Sequence, residues 1–167
     1  TPIDLDRDQF LAAVENGGTI AAVSDQFFGP PSNLLLPGRG VNMGDGWETK
    51  RRRTPGSDWC VIRLARRGVV ERIELETHFF KGNAPQATLI EAVDEEQLGP
   101  EAVQAMLREP KGWQTLLAKT PLVQHKRHQL GPDRPMTVTH LRVHIFPHGG
   151  VNRLRVFGTS VDSPAER

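Results

Sequence analysis

The sequence predicts an antiparallel β-sandwich with one or two short peripheral helices. Four runs alternate apolar and polar residues with period two: "WCVIRL" (59–64), "VVERIELETHFF" (69–80), "TVTHLRVHIF" (137–146) and "NRLRVFG" (152–158). They are rich in β-branched and aromatic residues and are bounded by Gly, Pro, Asn or Asp. The connections between them are mostly too short for helical crossovers, which argues for two antiparallel sheets over a parallel one.

Taken in order, residues 4–16 ("DLDRDQFLAAVEN") place Phe10, Leu11 and Val14 behind early acids and stop at Gly17-Gly18, the pattern of a short helix with a glycine C-cap. A strand is expected at 19–23. Residues 59–64, the short turn "ARRG" (65–68) and 69–80 read as a hairpin, with further strands at 86–92 and 113–118. Between the last two, "PEAVQAMLRE" opens with Pro100 at a first-turn position and sets Val103, Met106 and Leu107 on one side of a second helix. "FPHGG" (146–150) is a turn, with His148 at its tip, and residues 159–167 form a tail. The 167 residues suit one domain, 1–167, with 1–16 as an N-terminal helix.

Composition narrows the function classes. Charged residues make up 25% and the net charge is only +1, which argues against a nucleic-acid coat and names no nucleic-acid partner. No apolar run approaches the ~18 residues of a membrane span, and the N-terminus lacks the parts of a signal peptide, so a cytoplasmic protein is expected. The single cysteine, Cys60, sits in a strand pattern and is expected to be buried and unreactive. Thr1 in place of an initiator Met suggests a trimmed chain or a piece of a longer one.

"GRGVNMGDGWETKRRR" (38–53) is the least core-like stretch. Asp45 and Glu48 flank Trp47, with Arg39 before them and Arg51, Arg52 and Arg53 after. Paired carboxylates can divide acid and base work, and guanidinium forks grip a carboxylate through two bonds; a solvated loop whose charges pair with one another is the bland alternative. Glycines 38, 40, 44 and 46 would allow close approach to a ligand, or tight turns only. Trp47 reads as a packing anchor. The 59–80 hairpin would return the chain to its starting end, bringing this loop beside "HFFKGNAP" (78–85), where Lys81 and Asn83 offer a cation and an amide. Alternation turns Ile73, Leu75, Thr77 and Phe79 one way and Glu74, Glu76 and His78 the other. No cofactor is expected. A divalent metal is the alternative, held by His78 with Asp45 or Glu48, or by the later histidines, of which His140 and His144 share a strand face but stand ~13 Å apart.

In these motifs the chain resembles the allantoicase family: "DGWETKRR", "DWCVIRL", "HFFKGN" and "GGVNRLRVFG" occur in order, and the likeness covers residues 17–158. The resemblance implies a galactose-binding-like jelly roll, present as two tandem repeats in the family but once here, most like the second. It implies hydrolysis of allantoate to ureidoglycolate and urea in purine degradation. At position 148 the family turn more often carries an acid, so no role is transferred to His148. On this reading Arg39 and Lys81 hold the substrate carboxylate, Asn42 and Asn83 contact its ureido groups, and Arg51 is a further substrate-binding residue. Asp45 or Glu48 activates water, and His78 protonates the leaving nitrogen. Homo-oligomerisation or pairing with a second repeat is expected. The alternatives are a non-catalytic small-ligand or carbohydrate-binding module and a structural half of a two-repeat enzyme.

Overall fold

A computed structural model describes residues 18–161. Strands β1 (Thr19–Val23), β2 (Trp47–Glu48), β3 (Asp58–Glu76), β4 (Ala87–Val93), β5 (Gln114–Pro121), β6 (Arg127–Leu130), β7 (Thr137–Phe146), β8 (Gly150–Val151) and β9 (Arg153–Ser160) pair antiparallel throughout. The helix expected at 4–16 lies outside the described residues, as does most of the tail. The helix beginning at Pro100 runs to Met106, preceded by a single turn at Glu95–Leu98.

The expected hairpin is absent. Residues 58–76 form one strand, because "ARRG" contains no residue with positive φ to reverse the chain; Gly68 stays in the ladder, opposite both Val138 and Ser160. The register breaks between Arg63 and Gly68, and there β3 changes partners. Its first half lies between β1 and β7, its second between β6 and β9. Cys60, Ile62 and Leu64 from the first half and Val70, Ile73 and Leu75 from the second share one core with Leu141, Val143, Leu154 and Val156. The two halves therefore enclose that core from opposite sides, which is the sandwich. Cys60 is fully buried, and burial pushes its thiol far up.

"WCVIRL" is apolar almost without a break because both its faces are covered. Val61 turns away from the main core and packs with Ala22, Val93, Val103 and Leu107 under the 95–107 excursion. The expectation for Phe79 fails. The strand ends at Glu76, Phe79 takes φ 70 and is exposed, and Phe80 is buried in its place. β6 was not foreseen: "RHQL" is a polar edge strand with little periodic signal.

The fold delivers both loops to one rim all the same. Asp58 lies opposite Ile145 and Glu76 opposite Arg153, so the two ends of β3 are joined only by the turn that links β7 to β9. On this rim Trp47–Glu48 pairs with Gly150–Val151, and the Gly150 amide donates to the Asn83 carbonyl at 3.0 Å.

Candidate active site

Trp47 anchors the rim loop as the sequence predicts. It is buried, and its indole N–H donates to the Asp25 carbonyl at 2.8 Å. The loop glycines serve the backbone. Gly38 has φ +73, and a side chain at Gly40 would run into Asn152. Asn152 is buried and ties the lips together, its amide donating to the carbonyls of Asn42 at 3.3 Å and His78 at 3.1 Å. The Asp45 carboxylate accepts from the backbone amides of Val41 at 2.7 Å and Asn42 at 3.2 Å, so it holds its own loop closed.

Of the residues singled out from the sequence, two pairs meet side chain to side chain. Arg39 donates to the His78 ring, with Nη2 at 3.0 Å from Nε2 and 3.2 Å from Nδ1. Asn83 donates through Nδ2 to the Glu48 carboxylate at 2.8 Å. Lys81 and Arg51 are exposed on the same segments, and neither makes a hydrogen bond or ion pair among the described residues. His148 accepts from the Arg52 amide at 3.2 Å.

The centre of the site is a residue that alternation had assigned to the outer face. Glu76 is fully buried, and its carboxylate is held by Arg155 Nη1 at 2.7 Å and Arg127 Nε at 2.9 Å. Arg39 Nε approaches at 3.4 Å and His78 Nδ1 at 3.6 Å. Burial alone would push the Glu76 carboxyl up, but the arginine bonds outweigh it and hold the carboxyl below its ordinary value. His78 is lowered as well, by burial first and then by the charge of Arg39, which for an imidazole favours the neutral ring. Its ring also meets His125 edge to face at 5.5 Å. Arg153 is buried beside them, donating through Nη1 to the Asp45 carbonyl at 2.6 Å, while its Nε has no partner among the described residues.

Sequence reasoning missed Glu76, Arg127, Arg153 and Arg155. The signal was the match of acid-rich "ERIELE" to basic "RLR" and "KRH", segments that become neighbours only in the ladder, where Glu76 faces Arg153 and Arg127. Of the later histidines, His125 and His148 lie at the rim, while His140 and His144 stand apart from it. His140 is buried 4.0 Å from Glu95, and His144 bridges Ser57 and Glu91. Among the described residues no three His, Cys, Asp or Glu side chains converge on one point as metal ligands, and no helix is long and apolar enough to cross a membrane.

Comparison with known proteins places this arrangement. The family described as "Allantoicase repeat" matches residues 10–161. An allantoicase from Dictyostelium discoideum is 46% identical over 158 residues, covering 92% of this chain and 41% of that protein. The crystal structure of allantoicase from Saccharomyces cerevisiae superposes with a TM-score of 0.76 at 40% identity, covering 89% of this chain and 42% of that one. The chain thus spans less than half the length of these relatives. A family 32 carbohydrate-binding module from Clostridium perfringens, solved with galactose, has a TM-score of 0.62 at 12% identity, covering 89% of this chain and 98% of that one; it shares the jelly-roll fold. By sequence and by fold, this chain belongs to the allantoicase family, and its residues 10–161 match one allantoicase repeat.

Proposed function

We propose that the rim hydrolyses allantoate to ureidoglycolate and urea. The observation that carries this reading is the surplus of cations around one buried acid: three guanidinium groups surround the single Glu76 carboxylate, with the His78 imidazole beside them. Glu76 neutralises part of that charge and fixes the donors in place, and the remainder suits the carboxylate of a small anion. Arg39, more than half exposed, is the guanidinium placed to take it, with Lys81 and Arg51 drawing it in.

The ureido groups need acceptors for their N–H bonds and donors for their carbonyls. The Glu48–Asn83 pair supplies both, and Asn42 stands on the same lip. His78 carries the proton. With its proton affinity lowered it is neutral near pH 7, so an unprotonated ring nitrogen removes a proton from water as the oxygen bonds to the central carbon. The imidazolium returns that proton to the ureido nitrogen as its C–N bond breaks and urea leaves. This assigns the water-activating step to His78, whose lone pair is freed as Arg39 turns from the ring to the substrate carboxylate, rather than to Asp45, whose carboxylate is engaged by its own loop, or to Glu48, which is held by Asn83.

A cytoplasmic setting accords with a lone, buried cysteine. Because the relatives are more than twice as long, full activity is proposed to require a second repeat, supplied as another copy or another chain. Urea release from allantoate by the purified chain, alone and with a partner repeat, tests the function. Turnover under either condition is expected, and none under both would overturn it.

A further inference from the structure

Among the described residues only two that are not glycine take a left-handed backbone, Phe79 at φ 70 and His125 at φ 49, and they touch. The Phe79 amide donates to His125 Nδ1 at 2.8 Å, the two rings meet edge to face at 5.7 Å, and the His125 amide donates to the Phe80 carbonyl at 3.1 Å. A histidine tolerates this backbone better than most residues; a phenylalanine there is strained and persists only where its surroundings over-determine it. Thr77 supplies that constraint. It is buried at the end of β3, its amide donates to the Lys126 carbonyl at 2.8 Å, its hydroxyl donates to the Val123 carbonyl at 2.6 Å, and the Lys126 amide donates back to that hydroxyl at 3.1 Å. The turn between β5 and β6 is thus pinned to the strand that delivers His78. Glycine or asparagine would make such a turn at lower cost, whereas histidine adds an imidazole, set 5.5 Å from the His78 ring centre.

The bond from Phe79 also settles what this imidazole can do. Since Nδ1 accepts from an amide, the ring proton is on Nε2, and that N–H makes no hydrogen bond among the described residues. His125 therefore presents an oriented, unused donor beside the group that moves the proton. We propose that His125 Nε2 donates to the carbonyl oxygen of the ureido group that leaves, which makes it a further catalytic residue of the reaction proposed above, on which this inference rests. As the C–N bond breaks, its electron pair passes to the ureido nitrogen and spreads onto the carbonyl oxygen. The His78 imidazolium gives its proton to that nitrogen, and His125 stabilises the charge on the oxygen without transferring a proton. Glu48 and Asn83 hold the ureido group that stays.

Urea release from allantoate, by the chain alone and with a partner repeat, tests it. His125→Ala is expected to lower kcat about a hundredfold with KM within about threefold of the parent, because the donor acts on charge that develops only as the bond breaks. His125→Gln, which offers an amide N–H at similar reach, recovers about tenfold of that loss. Val123→Ala, on the same turn, turns over at the parent rate. A direct readout is nitrogen NMR of isotope-labelled histidine in the His78→Asn protein, where allantoate binds without turnover: saturating allantoate shifts the His125 Nε2 resonance. This readout decides the matter should His125→Ala melt early. Turnover of His125→Ala within a few-fold of the parent, or an Nε2 resonance that saturating allantoate leaves in place, overturns the proposal and leaves the function standing. No urea from the parent under either condition overturns both.

Discussion

Two regions of this molecule are assembled from the same parts and come to opposite ends. On the sheet face, Glu91 accepts from Arg142 Nε at 2.9 Å and from His144 Nε2 at 2.5 Å, and the far side of His144 meets Ser57 at 2.8 Å. Arg142, 3% exposed, lies 4.4 Å from the Trp113 ring centre and gives its remaining N–H groups to the carbonyls of Leu107, Glu109 and Pro110. One acid meets one guanidinium, the donors find acceptors, and the helical excursion is riveted to the sheet. At the rim, one acid meets three guanidiniums and a histidine, Arg39 is more than half exposed, and the charge does not close. A balanced, finished network is architecture; a network with charge left over is prepared for something that is not yet there.

The sharpest way to break this contrast is at the two histidine and arginine positions that differ most. His78→Asn retains an amide for Arg39 but moves no proton; urea release is expected to fall about a hundredfold or more, with the melting temperature nearly unchanged. A loss within a few-fold would remove His78 from the chemistry. Arg142→Ala is expected to do the reverse. It leaves Glu91 with His144 alone and takes the donor from three carbonyls, of which that of Leu107 belongs to a buried residue, and it costs about 2–4 kcal/mol in a denaturant titration, while the molecules that remain folded turn over at the parent rate. A stable Arg142→Ala protein with lost activity would invert the comparison.

A finer probe is pH. The proposed mechanism needs neutral His78, so activity is expected above the folded-state pKa and is expected to be lost as pH falls through it. Burial and the Arg39 charge both set that pKa below the ordinary 6.5, and the acid limb of kcat/KM is expected there. Arg39→Gln removes the second cause, and the limb should then move up toward 6.5. A limb that stays in place would mean that Arg39 does not act on the proton of His78.

The strands were legible because burial on a sheet imposes period two, and the runs at 137–146 and 19–23 appear with the bounds read from the sequence. The hairpin was misread at "ARRG": a strand that bends into the opposite layer and a strand that reverses both return the chain to its starting rim, and only the pairing partners distinguish them. The loops were therefore placed together correctly on a wrong topology. Within the site, Arg39, His78, Glu48 and Asn83 stood out as unusual residue types in loops, and they touch in pairs. Glu76 did not stand out, since a glutamate alternating with apolar residues is the ordinary mark of a solvent face.

By itself the sequence determined the class of fold, the family and the two loops that carry its polar chemistry, because those depend on local periodicity and on contiguous motifs. Only the tertiary structure decided which charges are neutralised and which are left over. That quantity depends on which side chains from distant strands share one low-dielectric space. Glu76, Arg127 and Arg155 are far apart in the chain and become a single electrostatic unit only when β3, β6 and β9 lie side by side.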